Sequence, residues 1–418
     1  MSRFKKFLRI LGPGFITGAS DDDPSGIGTY SQAGAQFGFS TLWVALFTFP
    51  FMTVVQEMCG RIGMVTGKGL AAVMRIHYPK WILYSCVFLL VLANTVNIGA
   101  DLGAMASAAE MVTGLPFVWC LILLTAIVLG LVIFLTYSTY AKVLKWLTLA
   151  LFAYVAVVFA VKVDWAVVLT HTFVPHITWS KEFVMMLVAL LGTTISPYLF
   201  FWQADEEVEE AIAQHKLLPG AQRAPRVTEN DITSMRWDTV IGMFFSNIVM
   251  FFIIVATAVT LNANGITQIE TADQAARALA PIAGELATLL FAIGIIGTGL
   301  LAVPVLAGSA SYAVSETFGW HTGLARTWRQ AEGFYGVIVL ATLVGLLVNF
   351  VGIPPFKMLY YTAIFNGMAA PILLVVILLI SSNRKIMKSH TNSLFSNVLG
   401  WVICLFMGAS AIALLYLL

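Results

Sequence analysis

Three consecutive aspartates, Asp21, Asp22 and Asp23, stand inside an apolar stretch and run into Pro24-Ser25-Gly26. Carboxylates are hard oxygen donors, and ionisable groups among apolar neighbours mark sites of function. Like charges crowded in a partly dry place cannot all stay ionised cheaply, so a bound cation or protonation must relieve them. The proline removes a backbone donor and disfavours helix in the residue before it. Gly18, Gly26 and Gly28 loosen the same stretch. A second segment, Gly192-Thr193-Thr194-Ile195-Ser196-Pro197-Tyr198, repeats the pattern of small and hydroxyl residues before a mid-stretch proline. A plain proline kink would also explain it, whereas three aspartates with apolar flanks fit a kink with a solvated end poorly. A third group, Asn94, Asn97 and Asp101, has i, i+3, i+7 spacing and lies on one helix face. The asparagines suit hydrogen bonds between packed helices as well as a polar path. Asp101 needs a partner or water. Asn366 and Asn349 are weaker signals of the same kind.

The elements that position these groups are membrane spans. Of 418 residues, 59% are hydrophobic and 11% charged, too little charge to cover a soluble surface. A span needs about 20 apolar residues. The chain predicts about eleven: 12–36, 41–60, 82–110, 116–137, 143–162, 183–204, 236–262, 285–314, 334–352, 357–381 and 395–417. No cleavable leader is evident before the first. With the N-terminus placed in the cytoplasm, only Lys162, Lys181, Arg277 and Lys357 of the 23 lysines and arginines fall outside. The other nineteen, from Arg3, Lys5, Lys6 and Arg9 through Lys142, Lys145, Arg223 and Arg226 to Lys388, fall inside. This agrees with the positive-inside rule and with an odd number of spans, leaving the C-terminus outside. The basic loops therefore report topology, and no nucleic-acid partner is expected.

Cys59, Cys86, Cys120 and Cys404 lie in or at the ends of spans with no CxxC pair, as buried small apolar groups do. All six histidines are expected in loops. The acidic run from Asp205 to Glu210 reads as a solvated helix end, or alternatively as a vestibule that attracts cations.

A membrane helix can be interrupted only where its freed backbone groups are buried in protein or face a watery cavity. Spans one and six are corresponding members of two five-helix halves, and paired interruptions there point to an inverted-repeat transporter with its site at the midplane. The expected fold is an all-α integral membrane protein, an inverted 5+5 repeat of LeuT-like type with helices 1 and 6 broken. It is one polytopic domain, 1–418, with repeats of about 10–165 and 180–382 and an extra helix at 395–417. No motif supports an enzyme: His-Glu-x-x-His is missing and no span holds a histidine.

Three segments resemble the Nramp family of divalent-metal transporters: Gly12-Pro13-Gly14 through Asp23-Pro24-Ser25-Gly26; Gln56-Glu57 through Arg61-Ile62-Gly63 and Val65-Thr66-Gly67-Lys68; and Gly192 to Tyr198. The resemblance covers roughly 10–380 and implies that Asp23 is the metal-binding aspartate. The departures fall at the other ligands. Gly26 stands where the family's Asp-Pro-Gly-Asn motif ends in asparagine. Ser196 stands in place of its methionine, and Tyr198 in place of its histidine. The family's acidic relay positions fall on Asn94, Asp101 and Ala104, its span-ten glutamine on Ala363, and Val303-Pro304-Val305-Leu306 replaces a Gln-Ser-Ser-Thr stretch. Losing a soft thioether removes a preference for transition metals. What is left is an oxygen-lined site: Asp23, the backbone carbonyls of Ser20 and Thr193, Gly26, Ser196 and Asp22, with Asp101, Asn94, Asn97, Tyr198 and Asn366 as a secondary polar path. It suits a partly hydrated hard cation, as in the magnesium-transporting branch of the family. The expectation is a divalent cation, Mg2+ before Mn2+, carried as substrate with no cofactor. The carrier would be a monomer in a bacterial inner membrane, working without proton coupling. The rival keeps the fold and serves a small anion or organic molecule.

Overall fold

The computed structural model describes residues 12–134, 150–217, 225 and 227–417. The N-terminal basic residues, Lys142 and Lys145 with the first part of the fifth span, and Arg223 and Arg226 lie outside the described residues.

Among the described residues nine helical segments are long and apolar enough to cross a membrane. One of them, Pro24–Thr66, is 43 residues long, more than one crossing needs. It holds two helices, α2 (Pro24–Phe37) and α3 (Leu42–Thr66), joined by a tight turn at Gly38–Thr41. Ahead of them is α1 (Pro13–Asp21), the first half of span one. There follow α4 (Leu70–His77), α5 (Lys80–Thr113), α6 (Phe117–Phe134), α7 (Phe152–Ala160, the described part of span five) and α8 (Trp165–Phe173). Span six is α9 (Lys181–Thr194) and α10 (Pro197–Ala213). Then come α11 (Glu229–Thr260), α12 (Ala287–Phe318), α13 (Glu332–Val348), α14 (Pro355–Ser382) and α15 (Leu394–Leu417). The short helices α4 and α8, and those at Ala272–Ala276 and Ala280–Ala283, are additions to the expected pattern. His77 ends α4 and His171 lies on α8, so two histidines expected in loops are helical, though outside the spans.

Both interruptions fall where expected and share one backbone design. α1 ends at Asp22 (φ −83°, ψ 51°), Asp23 is extended (ψ 170°), and Pro24 opens α2. α9 ends at Ile195 (φ −123°, ψ 64°), Ser196 is extended (ψ 134°), and Pro197 opens α10. A proline is preorganised for the first helical position, and the residue before it is driven to extended backbone. Sequence alone thus dictates a two-residue gap in each helix.

The half-helices are held by close backbone approach. With no hydrophobic drive between helices in lipid, small residues let backbones meet. A Cβ on Gly18 of α1 would strike the backbone of Gly242 on α11, and one on Gly192 of α9 would strike Ala363 and Gly367 on α14. The outer ends are tied by polar groups. Asp238 of α11 accepts the N–H groups of Gly12 (2.9 Å) and Gly14 (2.7 Å), which satisfies orphan donors at the start of α1. Glu57 on α3 bridges Arg61 and Arg236, and Arg61 also donates to the His390 carbonyl and to Asn392, fixing the approach to α15. The four cysteines are free and buried.

Gly18→Val should destabilise the detergent-solubilised protein by ~1–3 kcal/mol or more through overpacking, read as a lowered melting temperature. Gly130→Val on α6, where a Cβ meets nothing within 4 Å, should melt like the parent.

Candidate functional site

Asp23 caps α2. Its Oδ1 accepts the backbone N–H of Gly26 at 2.6 Å and the Ser25 hydroxyl at 2.9 Å, the ordinary bonding of an aspartate at a helix start. Its Oδ2 has one hydrogen-bond partner, the Asn97 amide nitrogen on α5, at 3.0 Å. The carboxylate is 2% exposed. One turn beyond Asn97, Asp101 is fully buried, with the backbone N–H of Ser25 beside it and no hydrogen bond of full geometry to either oxygen.

The second break closes on the first. The Tyr198 hydroxyl donates to the Ser20 carbonyl at 2.9 Å, and the Tyr198 carbonyl accepts from Ser309 on α12 at 2.9 Å. Ser196 does not cap α10; its hydroxyl turns back to the carbonyls of Gly192 and Thr193, both at 2.7 Å. Thr193 donates to Leu190 at 3.0 Å. The Ser20 and Thr193 carbonyls, expected to point open at a site, are therefore each already accepting a hydrogen bond. The reason is the dry interior: groups freed by a break must find protein partners. Each keeps a second lone pair.

Asp22 departs from its expected place among the Asp23 oxygens. It pairs with Asp21 around one serine of α11, the Ser246 hydroxyl lying 2.5 Å from Asp21 Oδ2 and 3.2 Å from Asp22 Oδ1. The remaining oxygens, Asp21 Oδ1 and Asp22 Oδ2, are buried without partners. Nothing in the sequence flagged Ser246, a lone serine in an apolar span. Asn94 donates to the Leu306 carbonyl on α12 at 2.9 Å and is an interhelical tie, as is Asn349 to Gly99 at 2.8 Å. Asn366 is buried on α14, and no hydrogen bond joins it to the Asp23 group. Gly26 leaves little room: a Cβ there would meet the Asp21 carbonyl at 3.2 Å and Asp23 Oδ1 at 3.4 Å.

Cavities lie beyond the site at both ends of the bundle. One of about 260 Å³ is lined by Gly28, Gln32, Glu182, Glu270, Lys357 and Tyr360. At its floor a Cβ on Gly28 would touch Leu359 at 2.8 Å. Another of about 400 Å³, at the far end of α10, is lined by Asp205, Glu209, Tyr312, Glu316, Arg75 and Arg326. The acidic run is therefore not a solvated helix end. Asp205, Glu206 and Glu207 are buried, Gln203 donates to Glu207 (3.0 Å), and Tyr312 donates to Glu209 (3.0 Å). Glu316 beside them caps α4 through Gly69 and Ala72, each at 2.9 Å. α4, unforeseen in the sequence, begins against Asp205 and Glu316.

Among the described residues no three His, Cys, Asp or Glu side chains converge as a metal-holding group. The donors gathered at the two breaks are the Asp23 carboxylate, with the buried Asp101 carboxylate beside it and Asp22 turned toward α11, and amide, hydroxyl and carbonyl oxygens.

The family model for natural resistance-associated macrophage protein-like (Nramp) proteins matches residues 14–417. The chain is 27% identical to a divalent metal cation transporter MntH of Klebsiella pneumoniae (strain 342), over 95% of this chain and 91% of that protein. It is 24% identical to a protein of the same name from Caldanaerobacter subterraneus, over 99% and 94%. In fold it is similar to the Eremococcus coleocola manganese transporter (TM-score 0.77, 16% identity, 98% of this chain and 87% of that one). It is also similar to Mhp1, a nucleobase-cation-symport-1 family transporter (TM-score 0.62, 13% identity, 98% and 90%). The fold is LeuT-like and all-helical, and these relatives are transporters, not enzymes.

Ser246→Ala would leave two buried carboxyl groups without their shared donor. It should cost ~1–3 kcal/mol, measured by thermal melting in detergent, whereas Thr233→Ala, at an exposed hydrogen bond on the same helix, should cost under about 0.5 kcal/mol.

Proposed function

The chain belongs to the Nramp family, and from that premise we propose that it carries a divalent cation across a bacterial inner membrane by alternating access, Mg2+ in preference to Mn2+ and without proton coupling. The observation that carries this reading is the half-committed carboxylate of Asp23, with Oδ2 held only by a neutral amide between two helix breaks that carry oxygen donors and neither sulfur nor imidazole.

The relatives are named for divalent metal cations and for manganese. The change in preference rests on the break residues. Ser196 offers a hydroxyl where the family resemblance places a soft thioether, and hard cations gain relative to transition metals from that exchange. Mg2+ keeps several waters and takes one or two carboxylates. Asp23, the second lone pairs of the Ser20 and Thr193 carbonyls, the Ser196 hydroxyl and retained water match that demand. Tyr198 takes the place of the family histidine and is spent on a bond to Ser20, so it supplies no group that titrates near neutrality. Membrane voltage supplies about 2.3 kcal/mol per charge per 100 mV, roughly twice that for a divalent ion, enough to drive uptake with the N-terminus and the basic loops inside. The two repeats, about 10–165 and 180–382, move against each other, and α15 lies outside both in sequence while packing on α3, α9 and α14.

Purified protein in proteoliposomes, with internal dyes for metal and for pH, tests the proposal. Inward-negative voltage should drive Mg2+ uptake faster than Mn2+ uptake at equal concentration, with no internal acidification. Asp23→Ala should reduce the rate by at least tenfold. Acidification in step with metal entry would overturn the uncoupled reading. Transport of no divalent ion would assign the site to a small anion or an organic solute.

A further inference from the structure

We infer that Asn97, on the third span, is a direct ligand of the transported cation and a determinant of its selectivity, replacing from another helix the amide oxygen that Gly26 lacks. The inference rests on the proposed cation transport at Asp23, and the argument starts from that carboxylate's two unequal oxygens. Oδ1 is committed: it accepts the Gly26 N–H at 2.6 Å and the Ser25 hydroxyl at 2.9 Å, which together start α2. Taking a cation there would cost the cap, ~1 kcal/mol or more. Oδ2 carries a single hydrogen bond, from Asn97 Nδ2 at 3.0 Å. A cation approaching Asp23 therefore arrives at Oδ2 and meets Asn97.

Two further facts decide what Asn97 does then. Its side chain is completely buried, and its own oxygen, Oδ1, has no hydrogen-bond partner. A buried amide oxygen left unpaired costs about 1–3 kcal/mol, and that cost is removed if the oxygen faces a cation. The terminal torsion of asparagine is broad and roughly two-fold. Without a cation the amide must present its N–H to the carboxylate. With a cation on Oδ2 the N–H would face positive charge, and half a turn of the amide replaces it with Oδ1. One side chain thus satisfies Asp23 in the empty site and coordinates the ion in the loaded one. Asn94, one turn earlier on the same face, also has an unpartnered Oδ1, but its amide nitrogen donates to the Leu306 carbonyl on α12 and not to Asp23, so a cation arriving at Oδ2 does not meet it.

A contact with the ion and a supporting role behind Asp23 are separated by changing the softness of the side chain. Thiolate prefers soft metals, and amide oxygen prefers hard ones. In proteoliposomes, Asn97→Cys should raise the ratio of Cd2+ to Mg2+ uptake by about tenfold or more over the parent, whatever its absolute rate. Asn94→Cys should leave that ratio unchanged. Asn97→Asp, which keeps an oxygen and removes the N–H donor, should retain Mg2+ uptake within about threefold, whereas Asn97→Ala should raise the KM for Mg2+ by about tenfold. An unchanged Cd2+/Mg2+ ratio in Asn97→Cys protein that still transports would overturn the assignment, as would Mg2+ uptake equally lost in Asn97→Asp and Asn97→Ala proteins that melt like the parent. These outcomes leave the cation reading intact if the parent carries Mg2+ and Asp23→Ala does not. Failure of the parent to carry any divalent ion would instead remove the premise itself.

Discussion

The structure depends on a single constraint, that a helix broken inside a membrane must satisfy from within the protein every backbone group it frees. Asp23 meets that constraint for the start of α2, and Asp238 meets it for the start of α1. At the other break Ser196 and Tyr198 divide the work, one bonding the carbonyls that end α9 and the other the Ser20 carbonyl near the end of α1. The two interruptions are thus parts of one hydrogen-bonded unit. A cation bound where the proposed site lies would share its oxygens with the hydrogen bonds that hold the two breaks together, which would connect binding to the broken helices.

The same economy accounts for the packing around the site. Close glycine contacts between α1 and α11, and between α9 and α14, place each half-helix against a long continuous one. Long helices supply a frame that a nine-residue half-helix such as α1 cannot supply for itself. Ser246 extends this frame chemically, since it reaches from α11 to the two aspartates that do not cap α2. Asp21 and Asp22 on one side and Asp23 on the other consequently face different helices although they are adjacent in the chain. Backbone extension at Asp23, required by Pro24, is what sends them apart.

Much of this was legible in the sequence because proline and aspartate in apolar surroundings have few physical interpretations. The breaks at Asp23 and Ser196, the buried face of α5 and the family all followed from such residues. What escaped were partnerships that depend on which helices meet. Ser246 and Asp238 are unremarkable in sequence, and only packing brings them to α1. The run from Asp205 to Glu210 has the composition of a solvated helix end. Its first residues are buried, and α4, eight residues long and too short to register as a span, meets it at Asp205 with Glu316 at its own start. Carbonyl ligation was overestimated for a related reason: the sequence shows that Ser20 and Thr193 lie at breaks, but not that Tyr198 and Ser196 already serve their oxygens.

Selectivity in such a site is settled less by which ligands are present than by which are free to change partner. Oδ1 of Asp23, bound to the start of its own helix, can change only if α2 loses its cap. The Thr193 carbonyl accepts from the Ser196 hydroxyl but keeps a second lone pair, so it can take a further partner without losing that bond. The amide of Asn97 can change by rotation alone. A cation that keeps most of its water asks little of the protein and is served by donors of the last two kinds. One that must shed its water needs a stiffer set of ligands than a hydroxyl and an amide already engaged elsewhere. The donors free to take a new partner are oxygens, and that freedom is the physical basis of the proposed preference for a hydrated hard ion.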